Sequence, residues 1–296
     1  MKYIALPDKA VRRLSFYLAM EEYIAHNRPG EDCFFMWQVN PTVIFGRNQL
    51  MENEINFDYV RSHGIEYYRR KSGGGCVYAD FSNIMFSYIT DDFNVSFTFD
   101  RYLQLIAHTL NKLGVKAVAS GRNDITVDGK KVSGNAFYRT SGRSIVHGTM
   151  LFDTNLEDLV LSITPNNEKL MTKGIESVRK RVTNLKEYLD IDIEEFKRFI
   201  RSSLCDHEEC LTQKDIVHIE KIETEYLRDE WILGNNPRYT WIRPCRRNRN
   251  TIGNQKRNHQ IDEFSRRLFS RRRNRRIFEQ ISKRSFHTSV CQPHSR

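Results

Sequence analysis

The sequence predicts an α+β fold, a mixed sheet with packed helices, and three observations carry that expectation. Short apolar runs with strand-like alternation are interrupted irregularly by helical stretches, unlike the regular succession of a doubly wound sheet. Tight-turn signals at Asp128-Gly129 and Ser141-Gly142 join neighbouring runs as antiparallel hairpins. The 296 residues, 39% of them apolar and 11% aromatic, suffice for one large domain with or without a small appendage.

Residues 1–27 read as a helix entered at Pro7-Asp8, because Val11, Leu14, Leu18 and Tyr23 fall on one face. Strands are expected at 34–38 and 42–45, around a turn at Asn40-Pro41. A helix over 57–62 stops at Gly64, and a strand over 65–70 delivers the chain into Ser72-Gly73-Gly74-Gly75. Extended structure resumes at Val77-Tyr78 and over 83–89, and the amphipathic run 99–113 is closed as a helix by Gly114. A strand at 115–119, the hairpin of 125–127 with 131–133, and a strand at 144–152 follow. Further helices are expected at 156–163, 193–204 and 214–233.

The net charge of +10 is unevenly placed: residues 243–296 hold 16 Lys/Arg against 3 Asp/Glu, and residues 1–242 hold 31 against 34. A nearly neutral body has no overall field to draw polyanions, so nucleic acid is not an expected partner. The chain therefore divides into a folded body at 1–242 and an Arg-rich tail at 243–296, whose like charges and scarce apolar groups favour disorder. The cysteines, Cys33, Cys76, Cys205, Cys210, Cys245 and Cys291, include no Cys-x-x-Cys pair, and the histidines no His-Glu-x-x-His spacing. Neither a disulfide framework nor a metal site built from protein side chains alone is expected. No run approaches the roughly 18 apolar residues of a membrane span, and residues 1–10 lack a secretory apolar stretch, so a cytoplasmic protein is expected.

The chemistry concentrates in Arg69-Arg70-Lys71-Ser72-Gly73-Gly74-Gly75-Cys76-Val77-Tyr78. Three glycines between strands strip side chains from a bend, admit positive φ and let a ligand lie against main-chain N–H groups. Arg70 beside them can grip a phosphate or carboxylate through two parallel hydrogen bonds. The spacing is neither that of a P-loop nor of a Rossmann turn, and a triple glycine alone is most often an ordinary turn. The second segment runs from Gly121-Arg122-Asn123-Asp124 to Lys130-Lys131-Val132-Ser133-Gly134. Asn and Asp entering a strand usually serve a turn, yet Asp124 beside a phosphate cradle suits a magnesium ion bridging phosphate oxygens. Lys131 alternates with Val132; aimed at the cradle rather than solvent, it would neutralise charge developing in an acyl-phosphate reaction.

Arg70-x-Ser72-Gly73-Gly74-Gly75-x-Val77-Tyr78-x-Asp80, Gly121-Arg122-Asn123-Asp124, Lys131-Val132-Ser133-Gly134-x-Ala136, His147-Gly148-Thr149-x-Leu151 and Ser177-Val178-Arg179-x-Arg181-Val182-Thr183-Asn184-Leu185 follow one another along the chain. In order and approximate spacing they resemble the lipoate-protein ligase A family. Ala19-x-Glu21-Glu22 and Gly46-Arg47-x-Gln49 are similar to its earlier motifs.

The resemblance implies a biotin/lipoate-protein ligase-like catalytic domain and an adenylate-forming ligase. Such an enzyme uses ATP and Mg2+ to convert lipoate or octanoate to its acyl-AMP. It then passes the acyl group to a lysine of a lipoyl-domain protein, such as a 2-oxoacid dehydrogenase acyltransferase subunit or the glycine cleavage H protein. It implies ATP contacts at Arg70, Gly75, Cys76, Val77, Tyr78 and Lys131, and lipoate contacts at Lys131, Arg70, Ser72, Gly73, Gly74 and His147. Lys131 would be the catalytic residue and Asp124 the metal contact. Two departures stand out: Ala79 occupies a position where the family commonly has His, and after Asn236-Pro237-x-Tyr239-Thr240 nothing resembles the accessory domain of larger members. The alternatives are an ATP-independent octanoyl or lipoyl transferase of the same fold with Cys76 as nucleophile, a biotin ligase, and a polyanion-binding protein acting through the tail.

Overall fold

The computed structural model describes residues 1–234 except Phe93, Arg122, 164–177 and Arg179. The expected boundary at 242 and the tail at 243–296 lie outside the described residues, as do Arg122, Ser177 and Arg179 of the motifs. The chain opens with β1 (Lys2–Ala5), α1 (Leu14–Asn27), β2 (Cys33–Trp37) and β3 (Thr42–Phe45). Two short helices, α2 (Met51–Glu54) and α3 (Phe57–Ser62), precede β4 (Glu66–Arg69), β5 (Val77–Ala79) and β6 (Asn83–Thr90). After α4 (Val95–Lys112) come β7 (Ala117–Ser120), β8 (Asp124–Val127), β9 (Lys130–Thr140), β10 (Arg143–Leu151) and α5 (Leu156–Ile163). The described part ends with α6 (Ile193–Leu204), β11 (His207–Cys210), α7 (Gln213–Tyr226) and α8 (Asp229–Gly234).

The main sheet has the order β11-β1-β2-β6-β10-β9-β8-β7, and a small sheet the order β4-β3-β5. β1 pairs in parallel with β11 and β2, whereas the remaining main-sheet pairs are antiparallel, so the sheet is mixed. β2 reads Cys-Phe-Phe-Met-Trp because both faces of this sheet are covered. Cys33, Phe35 and Trp37 join the core under α1 and α7, while Phe34 joins the core under α4 and α6. The hairpins turn where expected: Asp128 and Gly129 have φ of 50° and 76°, and so do Ser141 and Gly142, the left-handed pair that a two-residue turn demands.

Three expectations differ from the structure. Residues 2–5 form a strand, and the first helix begins at Leu14, because main-chain pairing with the remote segment 207–210 draws them into the sheet. The helix expected from residue 99 begins at Val95, where the Asn94 side chain accepts the Phe97 N–H as a cap. The helix expected over 214–233 breaks after Tyr226. The break turns Trp231 back so that its ring nitrogen donates to the Arg69 carbonyl at 2.9 Å.

Arg69 itself is fully buried, with its guanidinium bonded to the carbonyls of Arg47 (2.9 Å), Gln49 (2.8 Å) and Ile232 (3.0 Å). A lysine has one compact ammonium and cannot span that set of acceptors. Arg69→Lys should therefore lower stability by about 2 kcal/mol or more through orphaned carbonyls, measured by urea unfolding.

Candidate active site

A cavity of about 150 Å3 opens where the two sheets meet, with Leu18 of α1 closing one side. Trp37, Ile44, Val77 and Met85 make its apolar wall, and Arg70, Asn123, Lys131 and His147 make the polar one. Gly74, Gly75, Gly134 and Gly148 fill the remainder with main chain.

The glycine bend is shaped from beneath by Arg70. Only 5% exposed, Arg70 directs Nε at Ser72 Oγ (3.0 Å), Nη1 at the Ile44 carbonyl (3.1 Å) and Nη2 at the carbonyls of Gly73 and Gly75 (both 2.7 Å). Burial pulls its pKa down to about 10, which still leaves it cationic at neutral pH. The forked grip that the sequence suggested for a substrate is thus largely engaged in holding the loop. Gly74 needs its φ of +92°, and a β-carbon at Gly46 would stand 2.2 Å from the Gly74 carbonyl oxygen, so these two glycines permit the close approach. At Gly73 and Gly75 a β-carbon would meet open space.

Ser72 and Gly73 do not line the cavity. Ser72 Oγ instead lies 2.7 Å from Nε2 of His147, whose Nδ1 lies 2.8 Å from the fully buried carboxylate of Glu21. Lys71 turns the other way, to Glu22 at 2.7 Å, with its ammonium 4.9 Å from the centre of the Tyr226 ring.

Lys131 reaches the cavity through a β-bulge. Ser133 pairs with Ile125 and Lys131 with Thr126, which leaves Val132 as an extra residue on β9. Residues three apart on a regular strand face opposite sides; the bulge puts Lys131 on the side of Gly134. The lysine stem lies across that glycine, where a β-carbon would stand 2.6 Å from both Cε and Nζ. Main-chain contact with Val182 and Thr183 anchors the bulged segment. Nζ is 2.8 Å from Asp124 Oδ1, an oxygen with no aligned hydrogen-bond donor among the described residues, so this is a charge contact rather than a locked bond.

Sequence reasoning missed Asn135. Its amide nitrogen donates to the Asn123 carbonyl (3.0 Å) and the Asn123 amide nitrogen donates back to the Asn135 carbonyl (3.0 Å), clasping the turn before Asp124. The Asn135 side chain lies over Gly148, where a β-carbon would stand 2.0 Å from Oδ1. The unassigned position between Gly134 and Ala136 was the only hint. Trp37, Ile44 and Met85 were likewise invisible as a wall, because they belong to three different strands.

Cys76 and Val77 line the cavity, but the Tyr78 ring packs with Val43, Phe45 and Ile65 in the core of the small sheet, leaving only its main chain for a ligand. Burial, with a further push from Glu54, raises the Cys76 thiol to about 12. That is the reverse of the activation a nucleophilic cysteine needs.

Residues 14–205 match the lipoyl protein ligase A/B catalytic domain. The chain belongs to that family. It is 41% identical over 252 residues to lipoate-protein ligase 1 of Staphylococcus aureus, covering 82% of this chain and 76% of the relative. A lipoate-protein ligase of Bacillus subtilis is 39% identical over 234 residues, covering 75% and 71%. Among solved structures, an archaeal bi-partite lipoate protein ligase from Thermoplasma acidophilum superimposes with a TM-score of 0.72 at 26% identity, covering 80% of this chain and 98% of that one. A Thermoplasma acidophilum lipoate protein ligase with bound lipoic acid gives 0.68 at 25% identity, covering 79% and 99%. The ligase A/B catalytic fold thus accounts for the mixed sheet.

Two outcomes check this geometry. Gly148→Ala should displace Asn135 and free Asn123, reducing nucleotide affinity by about tenfold or more while the circular dichroism spectrum stays native. With a thiol held protonated, iodoacetamide at pH 8 should label the exposed Cys210 well before Cys76, as mass spectrometry of the peptides would show.

Proposed function

We infer that the chain is a lipoate-protein ligase, converting lipoate and ATP to lipoyl-AMP and pyrophosphate and then passing the lipoyl group to a lysine of a lipoyl-domain protein. The observation that carries the reading is Lys131, laid across Gly134 at the rim of a cavity whose other wall is apolar. An acyl chain suits the wall of Trp37, Ile44, Val77 and Met85, and its carboxylate would then stand at the polar end.

In the first step a carboxylate oxygen attacks the α-phosphorus and the bond to the pyrophosphate oxygen breaks. Negative charge gathers on the phosphoryl oxygens, where the Lys131 ammonium offers stabilisation. In the second, the neutral amine of the acceptor lysine attacks the acyl carbon, AMP leaves with the bonding pair, and the amine loses its proton. The bend at Gly74 and Gly75, with Arg70 beneath it, would hold the phosphates against main-chain N–H groups. Asp124, whose Oδ1 lacks an aligned donor among the described residues, would hold a magnesium ion, which would supply positive charge against the phosphates. Octanoate shares the carboxylate and the apolar chain, so it belongs to the same substrate class.

The raised thiol of Cys76 supports the ATP-dependent reading over a cysteine-based transferase. Among the described residues no helix is long and apolar enough to cross a membrane. The proposed setting is the cytoplasm, where ATP is supplied. The division at residue 242 belongs to the same proposal: limited proteolysis should remove 243–296 first and leave transfer from preformed lipoyl-AMP intact.

The deciding measurement is ATP-pyrophosphate exchange with lipoate, octanoate and biotin in parallel. Lipoate or octanoate should support exchange and biotin should not. Lys131→Ala should lower the lipoate-dependent rate by about 100-fold, since it removes a charge aimed at the transition state. Cys76→Ala should stay within a few-fold, whereas loss of all activity in that variant would restore the transferase reading.

A further inference from the structure

Every hydrogen bond around Glu21 points inward. His147 Nδ1 lies 2.8 Å from one carboxylate oxygen, Ser87 Oγ donates to the other at 2.6 Å, and Tyr138 Oη approaches at 3.4 Å. Glu21 has no exposed surface and does not line the cavity, so it cannot touch substrate. On the buried face of α1 it is an acceptor fed by donors from three strands.

The far end of the chain of bonds sets where the hydrogens lie. Arg70 can only donate, so Ser72 Oγ receives the Nε hydrogen at 3.0 Å and turns its own hydrogen to His147 Nε2 at 2.7 Å. His147 then carries its hydrogen on Nδ1, facing Glu21. We propose that Glu21 is a positioning residue of the adenylation site: it selects the Nδ1–H tautomer of His147, which orients Ser72 and through it the Arg70 guanidinium that shapes the Gly73–Gly75 bend. The proposal deepens the ligase reading above and rests on it for its functional arm.

With the hydrogen on Nε2, Ser72 would face two donors and its own hydrogen would have no acceptor in a site 1% exposed. If Ser72 rotates its hydroxyl to pair that hydrogen, Arg70 loses one of the bonds that fix its plane. Glutamine at position 21 would bring N–H groups against donors and favour that reversal.

Two experiments on the full chain test the relay. In the first, long-range 15N–1H NMR of histidine-labelled protein at neutral pH, assigned by loss of the resonance in His147→Gln, should show Nδ1 protonated and Nε2 bare. An Nε2–H or doubly protonated His147 overturns the proposal. In the second, a non-hydrolysable lipoyl-AMP analogue is titrated into the parent, Glu21→Gln and Tyr138→Phe. Glu21→Gln should shift the His147 tautomer and weaken binding by about tenfold or more, while Tyr138→Phe, which removes the long contact to Glu21 and a hydrogen bond with Tyr226 but leaves the relay intact, should stay within about threefold. A Glu21→Gln protein with the parental tautomer, or with a reversed tautomer and parental affinity, overturns it. Should Glu21→Gln fail to fold, the parent spectrum decides. If the parent itself does not bind the analogue, the ligase reading fails, and the relay still stands or falls on the tautomer.

Discussion

A guanidinium buried under three glycines is the contact on which the site depends. Glycine has the most conformational freedom to lose, so a Gly-Gly-Gly bend holds one shape only if something binds its carbonyls. Arg70 does so from one side, bonding to Gly73 and Gly75. Its neighbour points to the opposite face of the strand, as the pleat requires, and Arg69 binds the carbonyls of the adjoining Arg47–Gln49 segment. Two consecutive arginines thus clamp two loops. Carbonyl dipoles help offset the cost of burying their charge.

How much of this was legible depends on whether the cause was local. The hairpins at Asp128-Gly129 and Ser141-Gly142 were readable, because a turn residue acts on its own dihedral angles. The mixed sheet followed from the irregular order of strands and helices. β1 and β11 were not readable: Lys-Tyr-Ile-Ala is short, and His-Glu-Glu-Cys is polar enough to pass for a loop. They exist as strands because each supplies the other's hydrogen bonds, and no local window contains that information. The apolar spacing that suggested an early helix entry included Val11, which is exposed and belongs to no face.

The site divides the same way. Of the residues the sequence singled out, Arg70, Gly74, Gly75, Lys131 and His147 line one cavity and Asp124 lies beside Lys131, but what each side chain holds was not visible in the sequence. Arg70 looked like a substrate cation, yet it is bound to the loop it precedes, and Lys71 beside it is paired with Glu22. Tyr78 looked like a contact, but its ring went to the small-sheet core. Glu21 and Asn135 act on groups far along the chain, so only the assembled strands display what they hold.

Three glycines serve as sockets for polar atoms of other residues: Gly46 for the Gly74 carbonyl, Gly134 for Lys131 and Gly148 for Asn135. Each socket lets a hydrogen-bonding group lie against main chain where a β-carbon would have pushed it away. The result is a site with two kinds of cation. Arg70 is planar and held by several acceptors, so it keeps one orientation and can define the loop's shape. Lys131 sits on a flexible stem beside one carboxylate without an aligned bond, so its ammonium can follow charge that moves during a reaction. A phosphoryl centre that gains charge as a carboxylate attacks needs both properties, a fixed cradle and a responsive charge. No single residue can supply the two together, which is the physical reason for a rigid arginine under the bend and a loosely held lysine across from it.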